Sequence, residues 1–339
     1  MKKKKCLSIF VSLFIIVSML SGCSFNENVT SGEITEIRIG VLLYNQDDLF
    51  INSLMQKLDK GFREKEKEGD FKITFHFSDA KGSQTVQNDQ IDDYISQDYD
   101  VLCINIVDRT DAAVIVDKGK KAGIPIVFFN REPVSADMER WEKTYYVGVA
   151  TEDGGKLQGE IFLEKYNENP ESIDKNKDGV IQYCMLEGEP GHQDTTIRTE
   201  SCIKTIQEAG VELERLETYS ANWRRSQGKE VMEDWLKKHG DVIEVVFSNN
   251  DEMALGALDA MEAMEIPEGS IKIIGLDGME EALEAVRDGK MLGTVLNDAD
   301  GQAREIIELA VSLGKGEEPD ESEYMKSDRT VRIPHRMIK

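Results

Sequence analysis

The chain has 339 residues, 40% of them hydrophobic, and a formal net charge of −24. That length leaves room for two domains of ordinary size, and the apolar share supplies a core, which excludes a chain disordered as a whole. The acidic balance argues against a nucleic-acid partner, whose phosphates would repel it.

In chain order, the first element is a leader. Residues 2–5 are lysines, 6–20 are apolar, and Leu-Ser-Gly-Cys follows at 20–23. The apolar run is too short to span a bilayer comfortably. Its ending resembles the lipobox of bacterial lipoproteins rather than the A-x-A site of a plain secretory signal. The resemblance implies a signal peptide over 1–22, a diacylated Cys23 and an extracytoplasmic protein anchored by lipid to the outside face of the cell membrane. Residues 23–36 are polar and aperiodic and read as a tether. Of the remaining cysteines, Cys103 and Cys184 sit in apolar runs and read as small core residues. With Cys202 they make an odd number, which gives no disulfide framework.

Beyond the tether, short apolar runs alternate with longer amphipathic stretches. Strands are predicted at 37–43, 71–77, 101–107, 124–130 and 145–149. A helix is predicted over 49–66, where Phe50, Leu54, Leu58 and Phe62 recur four apart on one face. A second series of strands follows at 181–187, 242–248, 271–276 and 292–296, with a helix over 195–209 closed by Gly210. Such alternation implies parallel sheets covered on both faces. Two series imply an α/β chain of two similar three-layer lobes with a cleft between them.

In open α/β sheets, ligands sit beyond the carboxyl ends of the strands. Those positions are polar and consistent in type. Asp48 and Phe50 follow the first strand and Asn130 the fourth; the second series brings His192, Asp194, Arg198, Trp223, Asn250, Asp251, Asp277 and Asn297. Carboxylates, amides and a guanidinium pair with hydroxyls in planar geometry, while Phe and Trp offer flat apolar faces. A sugar presents both, hydroxyls around its rim and C–H patches on its faces. Plainer readings compete: Asp194 and Asp251 as helix caps, Phe50 as part of its apolar stripe, Trp223 as core. Joint occurrence at strand ends favours a binding site.

Residues 174–185, DKNKDGVIQYCM, begin as an EF-hand loop does, with Asp174, Asn176 and Asp178 alternating and Gly179 at the turn. The twelfth position, where an EF-hand has a bidentate Glu, is Met185. Either the segment is a solvated acidic turn or the missing carboxylate comes from elsewhere in the chain.

Taken in order, GVLLYNQDDLF, QNDQID, INIVD, IVFFNREP, YYVG, DKNKDGVIQ, GEPGH, NND, GTVLNDA and the final VRIP resemble the bacterial galactose/glucose-binding proteins. These have the type 1 periplasmic-binding-protein fold and feed ABC transporters. The resemblance implies that Phe50 and Trp223 sandwich a pyranose and that Asp48 bonds the 4-hydroxyl of either epimer. Asn130, His192, Asp194, Arg198, Asn250, Asp277 and Asn297 would supply the other polar contacts. It also implies a structural Ca²⁺, held by the side chains of Asp174, Asn176, Asp178, Gln182 and the distant Glu244 and by the carbonyl of Val180. Glu187, nearer in sequence, ranks second to Glu244. Three crossovers are expected, near Val149, Val295 and Met325. Residues 37–149 with 296–325 would then form the N-terminal lobe, and 150–295 with 326–339 the C-terminal lobe. The implied partners are a monosaccharide (galactose or glucose), the permease of an ABC importer, and a chemoreceptor or sensor kinase. The protein is expected to be a monomer.

Catalysis is not expected. A glycoside hydrolase would need one carboxylic acid with a raised pKa in an apolar pocket, and the candidate Asp residues have polar neighbours. A sugar-responsive transcription factor would need a basic DNA-reading headpiece, whereas the region before Ile37 reads as signal and tether.

Overall fold

The computed structural model describes residues 35–320 and 322–339. The leader, Cys23 and almost all of the tether lie outside the described residues.

The first lobe opens with β1 (Thr35–Leu43), α1 (Leu49–Glu68), β2 (Phe71–Asp79), α2 (Gln84–Ser96), β3 (Val101–Ile104), α3 (Ala112–Ala122), β4 (Ile126–Phe129), the single turn α4 (Ser135–Met138) and β5 (Thr144–Val149). The second follows with α5 (Thr151–Glu168), β6 (Val180–Glu187), α6 (Gln193–Glu208), β7 (Glu212–Ser220), α7 (Arg225–His239), β8 (Val245–Ser248), α8 (Asp251–Ala263), β9 (Lys272–Ile274), α9 (Glu280–Arg287) and β10 (Thr294–Leu296). The chain returns to the first lobe through α10 (Ala299–Gly314) and β11 (Thr330–Ile333), then ends on the second with β12 (Arg336–Ile338).

The first sheet has the order β11-β5-β4-β3-β1-β2, parallel throughout. The second has the order β7-β6-β8-β9, also parallel. Single bridges at Ile274–Gly293 and Asp277–Leu296 lead on to β10, which pairs antiparallel with β12. Alternation along a strand sends its side chains to opposite faces. In β3, Val101 and Cys103 therefore join the core under α1 and α10 (Phe62, Ile306), while Leu102 and Ile104 join the one under α2 and α3 (Ile91, Ile115). Strand order reverses beside β1 in one sheet and beside β6 in the other, and a crevice opens at the carboxyl ends there.

Three expectations need correcting. The last crossing does not lie near Met325: β11 pairs in parallel with β5, Val331 opposite Val147, and buries Val331 and Ile333 in the first core. The chain therefore stays in the first lobe until Ile333 and crosses at Pro334–His335. The strand β7 was not predicted. As an edge strand of sequence ELERLETYS it buries no complete face and shows no apolar run. Finally, β3 stops at Ile104 rather than at 107, because beyond it the Gln87 side chain takes over. Its amide bonds Asn105 O (2.9 Å) and Val107 N (3.0 Å) in place of ladder partners.

Candidate functional site

Asp48, Phe50, Asn130, His192, Asp194, Arg198, Trp223, Asn250, Asp277 and Asn297 line one cleft between the lobes, joined by Tyr44 and Arg131. Each of these residues follows a strand or stands in the first two turns of the helix after it, β1 and β4 in the first lobe and β6 to β10 in the second.

Helix starts hold several of them. Asp48 caps α1, its Oδ1 accepting from Ile51 N (3.1 Å), while its Oδ2 accepts from the Tyr44 hydroxyl (2.6 Å). Asn250 caps α8 through Met253 N (3.0 Å), and its amide donates to Trp223 O (3.2 Å). The expected caps differ in identity. His192, not Asp194, caps α6, its Nδ1 accepting from Asp194 N (3.1 Å), and Asp251 is the first residue of its helix rather than the cap. That bond leaves Nε2 to carry the proton of the neutral ring.

Asn130 (φ 61°), Trp223 (φ 64°) and Asp277 (φ 133°) sit in conformations that L-residues avoid. Such strain persists only where the surroundings over-determine it. Asn130 is gripped by Asn105 Nδ2 on its Oδ1 (3.1 Å) and by the Tyr146 hydroxyl on its carbonyl (2.8 Å). Trp223 lies against Gly188, where an added Cβ would come within 2.1 Å of the indole. His192 meets the indole edge-on at 5.2 Å.

Burial governs the charges. It pushes His192 down to about 4, so the ring is neutral near pH 7. It pushes the Asp277 carboxyl well up, although Arg198 at 3.9 Å opposes this. That departs from the expectation that no candidate Asp has a raised pKa. Burial would raise Asp194 too, but Arg198 at 3.0 Å, with His192 and Thr151, holds it below the usual range. Arg131 Nε and Arg198 Nε are buried donors without an acceptor among the described residues. The cleft thus offers carboxylate and amide acceptors, guanidinium and imidazole donors, and the aromatic side chains of Tyr44, Phe50 and Trp223.

Away from the cleft, the six expected calcium residues meet at one loop. Glu244, buried just before β8, accepts from Lys175 N (2.6 Å) and Gln182 N (3.1 Å). Asp178 accepts from the amides of Asn176 (2.9 Å) and Gln182 (3.1 Å). No three His, Cys, Asp or Glu side chains among the described residues are gathered closely enough to hold a metal by themselves. The donor set here is mixed, however, and Asp174 Oδ1 is buried with no partner among the described residues. An all-oxygen set with one orphaned carboxylate oxygen fits Ca²⁺.

Residues 39–318 match the family described as periplasmic binding protein domain. The chain belongs to the periplasmic binding protein family. It is 37% identical over 300 residues to the D-galactose/methyl-galactoside binding periplasmic protein MglB of Haemophilus influenzae, covering 88% of each chain. It is 29% identical to the ribose import binding protein RbsB of Bacillus subtilis, covering 86% of this chain and 87% of that one. Among solved structures, an ABC transporter solute binding protein from Bacillus halodurans with bound myo-inositol superposes with a TM-score of 0.74. The two are 31% identical, over 91% of this chain and 96% of that one.

Two lining residues of this periplasmic binding protein escaped the sequence reading. Tyr44 is the first residue after β1, and Arg131 directly follows Asn130. Both stand at strand ends, the signal used for the other ten, but a tyrosine in an apolar run and an arginine beside a glutamate each have an ordinary explanation.

Proposed function

We propose that this chain is an extracytoplasmic solute-binding protein that closes reversibly on one hexose, D-galactose or D-glucose, and delivers it to the permease of an ABC importer. The main support is the convergence of side chains from both lobes on one cleft with the acceptors, donors and aromatic faces a pyranose requires. Each Asp48 oxygen already accepts one hydrogen bond and keeps a lone pair for a hydroxyl, which suits either epimer at C4. A hydrogen bond to a charged group contributes about 1.5–3 kcal/mol. Several of them approach the roughly −8 kcal/mol of micromolar binding. Ligand contacts from both lobes favour the closed form, and that difference shifts the population.

The closed lobes are what a permease, and a chemoreceptor or sensor kinase, would read; the chain acts as a monomer. A lipid on Cys23 would hold it at the outside face of the cell membrane, stably only with more than one acyl chain. Asp174, Asn176, Asp178, Val180, Gln182 and Glu244 would hold a Ca²⁺, which supplies positive charge that ties the loop to β8 and takes no part in sugar binding.

Calorimetric titration of the sugar-free protein with galactose, glucose, ribose, xylose and myo-inositol tests this reading. Micromolar or tighter binding of a hexose is expected. Preference for myo-inositol, the ligand of the Bacillus halodurans relative, would replace the hexose by another cyclic polyol, and no binding at all would overturn the reading. Because burial raises the Asp277 carboxyl, a glycosidase is the second reading. Release of galactose from a galactoside would establish it, and none is expected.

A further inference from the structure

Arg131 belongs to the first lobe but does not bond to that lobe alone. Its guanidinium lies 3.6 Å from the centre of the Tyr44 ring, and its Nη1 donates to Val107 O (3.0 Å). Its Nη2 crosses the cleft to Glu189 Oε2 of the second lobe (2.6 Å). Its Nε is buried without an acceptor among the described residues, and the residue lines the cleft. Tyr44, under the guanidinium, donates to Asp48. One side chain therefore joins a cleft carboxylate, through Tyr44, to the opposite lobe.

Glu189 is equally placed. Its carbonyl is fixed by Thr195 Oγ1 (3.0 Å) and His192 N (3.2 Å), so the loop that carries it also carries the cleft histidine. The next residue of the first lobe repeats the crossing, Glu132 accepting from Gln193 Nε2 (3.1 Å). Arg131 is 8% exposed at its side chain and Glu189 43%. The pair is thus half-sheltered, and solvent screens it in part.

We infer that Glu189 is a positioning residue for ligand retention: it clasps Arg131 across the cleft only when the lobes are closed and so sets the lifetime of the sugar complex. This rests on the sugar-binding reading. When the lobes separate, Arg131 keeps Tyr44 and Val107 but loses Glu189, so the pair adds to the closed state alone. A neutral sugar is not steered by a rim charge. Loss of Glu189 should therefore leave association alone and appear in dissociation.

The test is stopped-flow tryptophan fluorescence with galactose and glucose on the parent protein, Glu189→Gln, Glu189→Ala and Glu189→Asp, each checked by thermal melting. Both Gln and Ala variants should dissociate roughly three- to tenfold faster with association within twofold of the parent. Dissociation of the parent should quicken as salt rises from 0.02 to about 0.5 M, while the Gln variant stays flat. The Asp variant, which keeps the charge, should fall between parent and Ala. Unchanged dissociation in Gln and Ala, or a loss confined to association, overturns the clasp while leaving sugar binding intact. A parent that binds neither sugar overturns the reading beneath it.

Discussion

Trp223 shows how one side chain is made available to a ligand. It is half-buried and in a positive-φ conformation, and three neighbours fix it: Gly188 below, the His192 ring at its edge and the Asn250 amide on its carbonyl. Covering a sugar face with this ring contributes about 1.5–3 kcal/mol. Trp223→Ala should accordingly weaken hexose binding roughly ten- to hundredfold and leave the melting temperature nearly unchanged, as calorimetry and thermal melts will report. Unchanged affinity would remove the ring from the site. Gly188→Ala tests the support rather than the contact. A methyl within 2.1 Å of the indole forces it aside, so affinity should fall with Trp223 still present, and the tryptophan emission should shift.

At the scale of elements, apolar periodicity made most of the fold legible, because buried parallel strands and amphipathic helices write it plainly. The stripe Phe50, Leu54, Leu58 and Phe62 became α1, with all four buried. The polar edge strand β7 was illegible for the converse reason, since one covered edge asks little of composition. The end of the first lobe was misplaced because VRI at β11 reads alike in either sheet, and only its pairing with β5 decides. Ten cleft residues could be found from strand ends, but whether a helix is capped by His192 or Asp194 depends on backbone geometry that sequence does not carry. The loop proposed to hold calcium combines both cases: Asp174, Asn176 and Asp178 are close in sequence, whereas Glu244 reaches them only through the fold. If the proposed Ca²⁺ binds only the assembled loop, it should stabilise by about 2.7 kcal/mol at a hundredfold excess over its Kd. Parent protein should melt higher in calcium than in chelator, and Glu244→Gln should lose most of that difference. An equal difference in both proteins would exclude Glu244 as a ligand.

For the whole molecule, buried titratable groups tie folding stability to protonation. His335 stands at the last crossing, its ring packed on Gly154 of α5. Among the described residues neither ring nitrogen finds a well-formed hydrogen bond, although the Ala150 backbone is close. Burial pushes this ring down to about 4, with Arg198 acting the same way and Asp194 opposing. An unfolded histidine titrates near 6.5. Between about 6.5 and 4 the unfolded chain therefore binds the proton that the folded chain refuses, and stability falls with falling pH. His192, also held at about 4, acts in the same direction and window. Asp251 acts oppositely: burial raises it to about 6, so the folded chain takes up a proton first and gains stability on acidification. The net pH profile of the parent mixes these signs, but a difference between proteins isolates one group. On moving from pH 7 to pH 5, His335→Gln should lose less melting temperature than the parent, and the His192→Gln, His335→Gln pair should lose less still. Parallel profiles for all three would mean that neither ring is buried neutral.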